Sequence, residues 1–235
     1  MAIDELPLPA VNFLNIIGVP WPYLNEETVW QFARLVRAFR QAVIRTHQEA
    51  TQAIGEIAKA HKGASTETMV SGWAKLSAQH VDEIADGCTV LADALDAAGY
   101  YIVAQKGVAI VELVGLAEAF FADQVAAAAT LGLAETGVPL IIEAARVLTK
   151  TLVVTVTQYF AGELIEKAAK PLFAKISAAL AGLDWSQSGV KPGETAGIKV
   201  NPAAVGSQLV VLRSQAAQMR SAAADLAEQV RGLKF

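Results

Sequence analysis

The sequence contains one cysteine and three histidines, and this scarcity argues against several kinds of protein. Cys88 alone cannot form an internal disulfide framework, so the fold does not depend on oxidation. The histidines, His47, His61 and His80, are not spaced like the ligands of a metal site. None of them is spaced to activate Cys88 as a nucleophile either. We therefore expect no catalytic residues, no metal and no cofactor.

Charge and long apolar runs are also scarce. Charged residues make up 18% of the chain and give a net charge of −4, which argues against nucleic acid as a partner. The most apolar stretch, residues 108–160, contains seven charged residues, and its cleanest piece, residues 151–162, is about half a membrane span long. The first 14 residues lack the basic segment and continuous apolar segment of a cleaved signal peptide, so we expect none.

Apolar residues at helical spacing are abundant, and hydrophobic residues make up 54% of the chain. One stripe runs from Val29 to Ile57 and a second from Met69 to Leu95, in steps of three and four. Asn25 is a good N-cap for the first helix, and Gly63 is placed to end it. Because the turn between the stripes is short, the two helices are expected to be antiparallel. We predict an all-α protein, an elongated bundle of long antiparallel helices.

Prolines and glycines divide the chain into segments. We predict an extended, proline-rich lead-in (1–25), a helical hairpin (26–106), an alanine-rich apolar helix pair (107–183), a linker (184–201) and a C-terminal helix (202–235). The second helix of the hairpin either runs on without interruption or breaks near Gly99 or Gly107. The alanine-rich pair is expected to bend at Pro171. The stripe of the C-terminal helix requires burial, so we expect that helix to fold back onto the alanine-rich helices or to dock on another subunit.

The opening unit contains several features in a characteristic order. The lead-in Ile17–Pro22 is followed by an acidic helix start, a long helix and a glycine-containing turn. A tryptophan then lies near the start of the second helix, in Ser71-Gly72-Trp73. This order resembles the WXG-like domain at the N-terminus of the actinobacterial outer membrane channel protein CpnT and of related type VII secretion toxins. The Trp-x-Gly tripeptide itself is absent, because the glycine precedes Trp73, so the chain resembles a divergent member.

The resemblance implies a type VII secretion-associated targeting and partner-binding domain that is the N-terminal part of an exported effector or toxin. It also implies a helical protein partner, either a WXG-like subunit or a secretion chaperone, or else a homo-oligomer. Such a protein would be cytoplasmic before export and then secreted or associated with the cell envelope. Two alternatives stay open: a membrane-active protein that inserts residues 108–180, and a structural subunit of a helical assembly.

Aromatic and leucine side chains on the stripes are the candidates for an interface or a helix seam, since aromatic residues concentrate binding energy in interfaces. They are Trp21, Trp30, Trp73, Leu76 and Leu91. Tyr159 and Glu163 fit the Tyr-x-x-x-Glu pattern of type VII substrates and are the candidate secretion signal. The pair Tyr23 and Glu27 fits the same pattern, and an ordinary helical i,i+4 pair is the alternative interpretation.

Acidic residues form one face of the second helix of the hairpin. They are Asp82, Glu83, Asp86, Asp93 and Asp96. A solvated surface is the simplest interpretation of this face. It could also meet the basic residues of the first helix, either across the hairpin or on a partner. Those basic residues are Arg34, Arg37 and Arg40.

Overall fold

The computed structural model describes residues 6–61, 63–76, 80–129, 137–181 and 202–233. Of these residues, 92% are helical and none lies in a strand, so the predicted all-α class is confirmed. Within these ranges, no helix combines the length and the apolar character that a membrane crossing requires. The predicted linker, residues 184–201, falls outside the described residues.

The helices follow one another along the chain, with a π-helical segment of ten residues between two of them. They are α1 (Leu8–Ile17), α2 (Glu26–Ala60), α3 (Ala64–Leu76), α4 (Asp82–Ala129), α5 (Val138–Tyr159), the π segment (Phe160–Ala169), α6 (Lys170–Ala181) and α7 (Pro202–Arg231).

Helix α1 corrects the prediction of an extended lead-in over residues 1–25. Pro7 precedes the helix and Pro9 lies in its first turn, where a missing backbone N–H breaks no helical hydrogen bond. Gly18 ends the helix in the left-handed conformation, at φ 68°, and the Val19 N–H donates to the Leu14 carbonyl at 3.1 Å. The prolines therefore start a short helix that buries one side.

Helix α2 begins where the sequence predicts. The Asn25 side chain accepts a hydrogen bond from the Thr28 N–H at 3.1 Å, which satisfies one of the free donors at the helix start. The helix ends at Ala60, and α3 begins at Ala64 after a short turn. There the Gly63 carbonyl accepts the Thr66 N–H at 3.0 Å. Gly63 thus closes the turn before α3.

The sequence leaves open whether the second helix of the hairpin breaks near Gly99 or Gly107, and helix α4 shows that it does not. It runs through both glycines as one helix of 48 residues. The boundary drawn at residues 106 and 107 therefore falls inside a helix, and the division into domains stays a prediction.

The π segment lies directly before Pro171, where the sequence predicts a bend. Proline has no backbone N–H to donate and its ring clashes with the carbonyl four residues earlier. The wider π-helical turn ends at Ala169, two residues before Pro171. The backbone therefore changes from the π-helical to the α-helical hydrogen-bond pattern just before the proline.

Contacts divide the chain into two compact units. Unit 1 is built from Met1–Gln31 and Leu95–Ile165, and unit 2 from Phe32–Ala94 and Glu166–Leu233.

Unit 1 is centred on α4, against which α1 and α5 pack. The rings of Phe13 in α1 and Phe120 in α4 lie 5.2 Å apart, and Phe13 is fully buried. Burial of a side chain of this size contributes about 1.5–3 kcal/mol. Tyr159, at the end of α5, stacks on Tyr101 of α4 with ring centroids 4.1 Å apart. Gly137, at the other end of α5, lies beside Asp123, so α4 and α5 are antiparallel.

Unit 2 combines the remainder of α2, α3 and the start of α4 with α6 and α7. Helix α6 packs closely on α4, because a Cβ atom at Gly87 would lie 2.6 Å from Leu172 Cδ1. Helix α7 folds back along α2, where Gln215 Nε2 donates to Glu49 Oε2 at 2.6 Å. Folding back is one of the two predicted outcomes, and this contact joins α7 to α2; a contact with the alanine-rich helices stays a prediction.

Candidate helix interface

Trp30, in the first turns of α2, packs on the backbone of α4 within unit 1. Its indole Nε1 donates to the Asp96 carbonyl at 3.4 Å, and its ring contacts that of Tyr100, with centroids 5.5 Å apart. A Cβ atom at Gly99 would lie only 2.7 Å from Trp30 Cδ1. Because real Cβ atoms do not approach so closely, glycine is the residue that lets α4 come this near to the indole. Trp30 therefore fills an internal helix seam.

A buried ion pair that the sequence pattern does not predict joins the same two helices. Lys106 Nζ lies 2.6 Å from Glu26 Oε2, and the two side chains are 1% and 0% exposed. Lysine and glutamate are almost never fully buried unless they are paired. The available signal was the position of Lys106 in the sequence, in step with the buried residues Ile102, Ala109 and Leu113.

Trp21 is buried in the segment that links α1 to α2. It lines a cavity of about 290 Å³ together with Leu14 of α1 and Val19. Tyr23, which lines the same cavity, is 83% exposed. The structure thus places Trp21 inside unit 1, and Tyr23 is the aromatic side chain at this end that faces solvent.

Trp73 joins α3 to α2 within unit 2. Its Nε1 donates to Thr51 Oγ1 at 2.9 Å, and its ring stacks on the imidazole of His47, with centroids 5.3 Å apart and planes 16° apart. Trp73 is half-buried and Thr51 is exposed, so this cluster lies at the surface. Of the five interface candidates, Trp73 is the one with a solvent-exposed hydrogen bond.

His47 titrates under two opposing influences. Burial of the ring lowers the pKa of His47 below its ordinary value of 6.5, and the Asp82 carboxylate acts in the opposite direction. Burial therefore favours the neutral form of the ring that stacks on Trp73. In the part of the chain that the structure describes, no group of three His, Cys, Asp or Glu side chains is placed to hold a metal ion.

Leu91 and Cys88 lie on the buried side of α4 in unit 2. Burial raises the pKa of the Cys88 thiol to about 11, although the Arg40 guanidinium lowers it in part. Arg40 also donates through Nε to the Ala85 carbonyl at 3.1 Å. The side chain of Leu76, the remaining candidate of the hairpin, lies outside the described residues.

The acidic face of α4 meets a basic residue of α2 across the hairpin, which was one of the expected arrangements. Arg37 Nη2 lies 2.9 Å from Asp93 Oδ1, and both side chains are exposed. A surface pair of this kind contributes about 0–1 kcal/mol, so it orients the helices more than it stabilises them.

Tyr159 and Glu163, the candidate secretion signal, lie on either side of the boundary between α5 and the π segment. Tyr159 is half-buried against Tyr101, whereas Glu163 is exposed. The pair is therefore not part of a regular α-helical surface. Its role in secretion stays a prediction, as do the interface roles of Trp21, Trp30, Trp73, Leu76 and Leu91.

Large apolar side chains remain exposed on α4 and α5 of unit 1. On α4 they are Tyr100, Val108, Val111 and Val125, and on α5 Leu140, Val147, Val153 and Val154. Single exposed apolar residues are common on proteins, but a regular series along one helix points to a contact surface.

Comparison with known proteins identifies a family. Residues 5–152, more than half of the chain, match the family model described as the WXG100 like domain. The matched range covers α1 to α4 and the first part of α5. No curated protein and no solved structure matches the chain.

Proposed function

Because the chain belongs to the WXG100-like domain family, a family related to type VII secretion, we propose that it is the targeting and partner-binding domain of an exported effector or toxin. The single observation that supports this role is the family match over residues 5–152. The proposed role is non-catalytic, since it requires helix packing only. A likeness to the N-terminal domain of the actinobacterial channel protein CpnT is part of the proposal.

The partner that we propose is another helical protein, either a WXG-like subunit or a secretion chaperone. WXG100-like proteins typically form helical-hairpin dimers or oligomers, which supports a partner of this kind. The protein would be cytoplasmic before export and then secreted or associated with the cell envelope.

The α2–α3 edge of unit 2 is the surface that we propose for this partner. Trp73 is half-buried there, and Val70, three residues earlier on α3, is 37% exposed. Residues three apart on a helix are neighbours, so these two side chains form a small apolar surface. The indole combines a large apolar ring with a polar N–H, which suits an interface that is partly open to water.

A binding experiment tests the partner. The full chain is mixed with the WXG-like subunits and chaperones encoded beside its gene, and affinity is measured for the wild type, Trp73→Ala and Tyr23→Ala. A central aromatic residue contributes about 2 kcal/mol or more, so Trp73→Ala should weaken binding by roughly thirtyfold. Tyr23→Ala removes an exposed aromatic residue of unit 1 and should leave the affinity unchanged. Equal affinity of the wild type and Trp73→Ala would contradict this assignment.

An export experiment tests the secretion signal. The full chain is expressed in a host with a type VII system and in the same host without it, and the exported fraction is measured. Export should require the system and should be lost in Glu163→Ala, whose side chain is exposed. Glu27→Ala alters the second Tyr-x-x-x-Glu match and serves as the control, with export retained. Export that continues without the system would refute the proposed function.

A further inference from the structure

Helix α5 has a second apolar stripe on the side that faces away from α4. Its buried side, Ala145, Thr149, Leu152 and Val156, packs inside unit 1. The exposed stripe follows steps of four and three, and its members are Leu140, Ala144, Val147, Thr151, Val154 and Gln158. Its large residues, Leu140, Val147 and Val154, are 74%, 53% and 43% exposed. Alternating steps of three and four are the spacing at which helices pair in coiled coils.

Two opposite charges flank this stripe on one edge. Glu143 and Lys150 are exposed, and neither forms an ion pair within the described part of the chain. They are seven residues apart, which is about 10.5 Å along an α-helix. Val147 lies between them, four residues after Glu143 and three before Lys150. If a second α5 runs in the opposite direction and crosses at Val147, Glu143 of each helix therefore lies near Lys150 of the other.

We propose that the exposed stripe of α5 is a homotypic docking surface, on which α5 of a second copy of this chain packs antiparallel about Val147. In that arrangement Leu140 lies level with Val154 of the second copy, and Ala144 lies level with Thr151. Glu143 meets Lys150 of the second copy, and the same pair forms again by symmetry. This inference goes beyond the proposed function and does not depend on it.

The charges of Glu143 and Lys150 also favour an antiparallel over a parallel arrangement of the two α5 helices. In a parallel coiled coil, a residue on one edge of the stripe lies beside the residue five positions later on the facing edge of the other helix. Glu143 would then lie beside Leu148 of the second copy, and its charge would have no counterpart. The antiparallel arrangement satisfies both charges, so it is the arrangement that the sequence of α5 supports.

The composition and the size of the stripe limit the affinity of the proposed dimer. Three of its six positions are alanine, threonine or glutamine, and one helix pair buries less than the roughly 1,600 Å² of a standard interface. We therefore expect a weak dimer with a Kd of roughly 10–100 µM.

Disulfide trapping of the full chain tests the geometry. Val147→Cys places a thiol at the symmetry axis, so two copies should form a covalent dimer under mild oxidation. Val153→Cys is the matched control, because this residue is 39% exposed on the same helix but lies off the stripe. The native Cys88 is buried and does not compete. Trapping of Val147→Cys should be at least tenfold faster than trapping of Val153→Cys, and equal rates would overturn the proposal.

Charge exchange tests the pairing. Sedimentation equilibrium gives the dimerisation constant of the wild type, Glu143→Lys, Lys150→Glu and the double variant. Each single variant turns two attractive pairs into repulsive ones, which should weaken the dimer about tenfold. The double variant restores opposite charges and should recover the wild-type constant within about threefold. Lack of recovery would overturn the proposed register, and a chain that stays monomeric at about 200 µM would overturn the surface itself. Partner binding and export could still hold after either result, so failure here is distinguishable from failure of the proposed function.

Discussion

Trp30 and Gly99 are in direct contact: the indole of Trp30 occupies the space that a Cβ atom at position 99 would need. This contact brings α2 and α4 together in unit 1, and the same two helices share the buried pair of Glu26 and Lys106. The order of the contacts is antiparallel, because the earlier residue of α2 pairs with the later residue of α4. An aromatic–glycine contact and an ion pair together fix the register of the two helices.

Replacement of Gly99 by alanine should therefore destabilise the protein. Alanine favours a helix by up to about 1 kcal/mol over glycine, but the clash with Trp30 costs about 1–3 kcal/mol. We expect a net loss of about 1 kcal/mol in the free energy of unfolding, measured by urea denaturation.

Gly107→Ala is the matched control on the same helix. No atom lies within 4 Å of a Cβ built at Gly107, so this variant should be more stable than the wild type by up to about 1 kcal/mol. If both variants were stabilised equally, the close contact at Gly99 would not exist in solution.

The sequence predicts the fold class well because the information is local. Asn25 is a cap that depends on a neighbour three residues away, and the stripes of α2 and α4 repeat over many turns. The contact of Trp30 with Gly99 is different, since it depends on the register of two helices and joins residues that are 69 positions apart (99 − 30). The pattern does not predict helix α1, because prolines argue against a helix except at its start, and here Pro7 precedes α1 and Pro9 lies in its first turn. Patterns among neighbouring residues therefore predict the helices, whereas the contact of Trp30 with Gly99 depends on how two helices align and is not predicted by such patterns.

Removal of one partner from the buried pair should be strongly destabilising. Lys106→Met keeps much of the side-chain volume but leaves the Glu26 carboxylate buried without its cation. Breaking a buried pair in this way costs about 3–5 kcal/mol, and we expect a loss of that size in urea denaturation. The double variant Glu26→Gln, Lys106→Met removes both charges and should recover most of the loss.

An exposed pair on α2 provides the comparison. Lys59 Nζ lies 2.8 Å from Glu56 Oε1, and both side chains are exposed to solvent. Lys59→Met should change the free energy of unfolding by less than about 1 kcal/mol. A small effect of Lys106→Met, similar to that of Lys59→Met, would show that Lys106 reaches water.

Cys88 should react slowly in the folded protein. With the pKa of its thiol raised to about 11, the thiolate is scarce at pH 8, and the side chain is 1% exposed. Alkylation by iodoacetamide should be at least about a hundredfold slower in the native chain than in the chain unfolded in urea. Similar rates in the two states would contradict the burial of Cys88.

The same shift makes stability depend on pH. Below pH 9 the thiol is protonated in both states, so its contribution to stability is fully present. Between pH 9 and about 11 the unfolded thiol ionises before the folded one, and stability falls as the pH rises. Cys88→Ala removes this dependence, so the difference between wild type and variant in the midpoint of urea unfolding should shrink or reverse over that range. A constant difference between the two proteins would argue against the raised pKa.

The packing of α7 on α2 gives the last prediction. Among the described residues of α7, Gln215 is the one that is buried, and Leu226 lies with Leu35 and Phe39 of α2 around a cavity of about 160 Å³. Most of the stability of a helix in a protein comes from packing of its apolar face, so the order of α7 depends on this contact. Amide exchange in α7, from about Gln208 to Gln229, should therefore be slower than in a free peptide but faster than in the buried part of α4.

Two variants separate packing from helix propensity in this experiment. Leu226→Ala weakens the contact with α2 while keeping a strong helix former, so exchange should accelerate along the whole of α7 and stay unchanged in α4. Val210→Ala is the control, since Val210 is 66% exposed and its loss should not accelerate exchange. If α7 of the wild type exchanged as fast as a free peptide, it would not be docked on α2 in solution. If α7 exchanged as slowly as α4, its contact with α2 would be as stable as the buried core. Helix α7 would then unfold only together with the whole of unit 2.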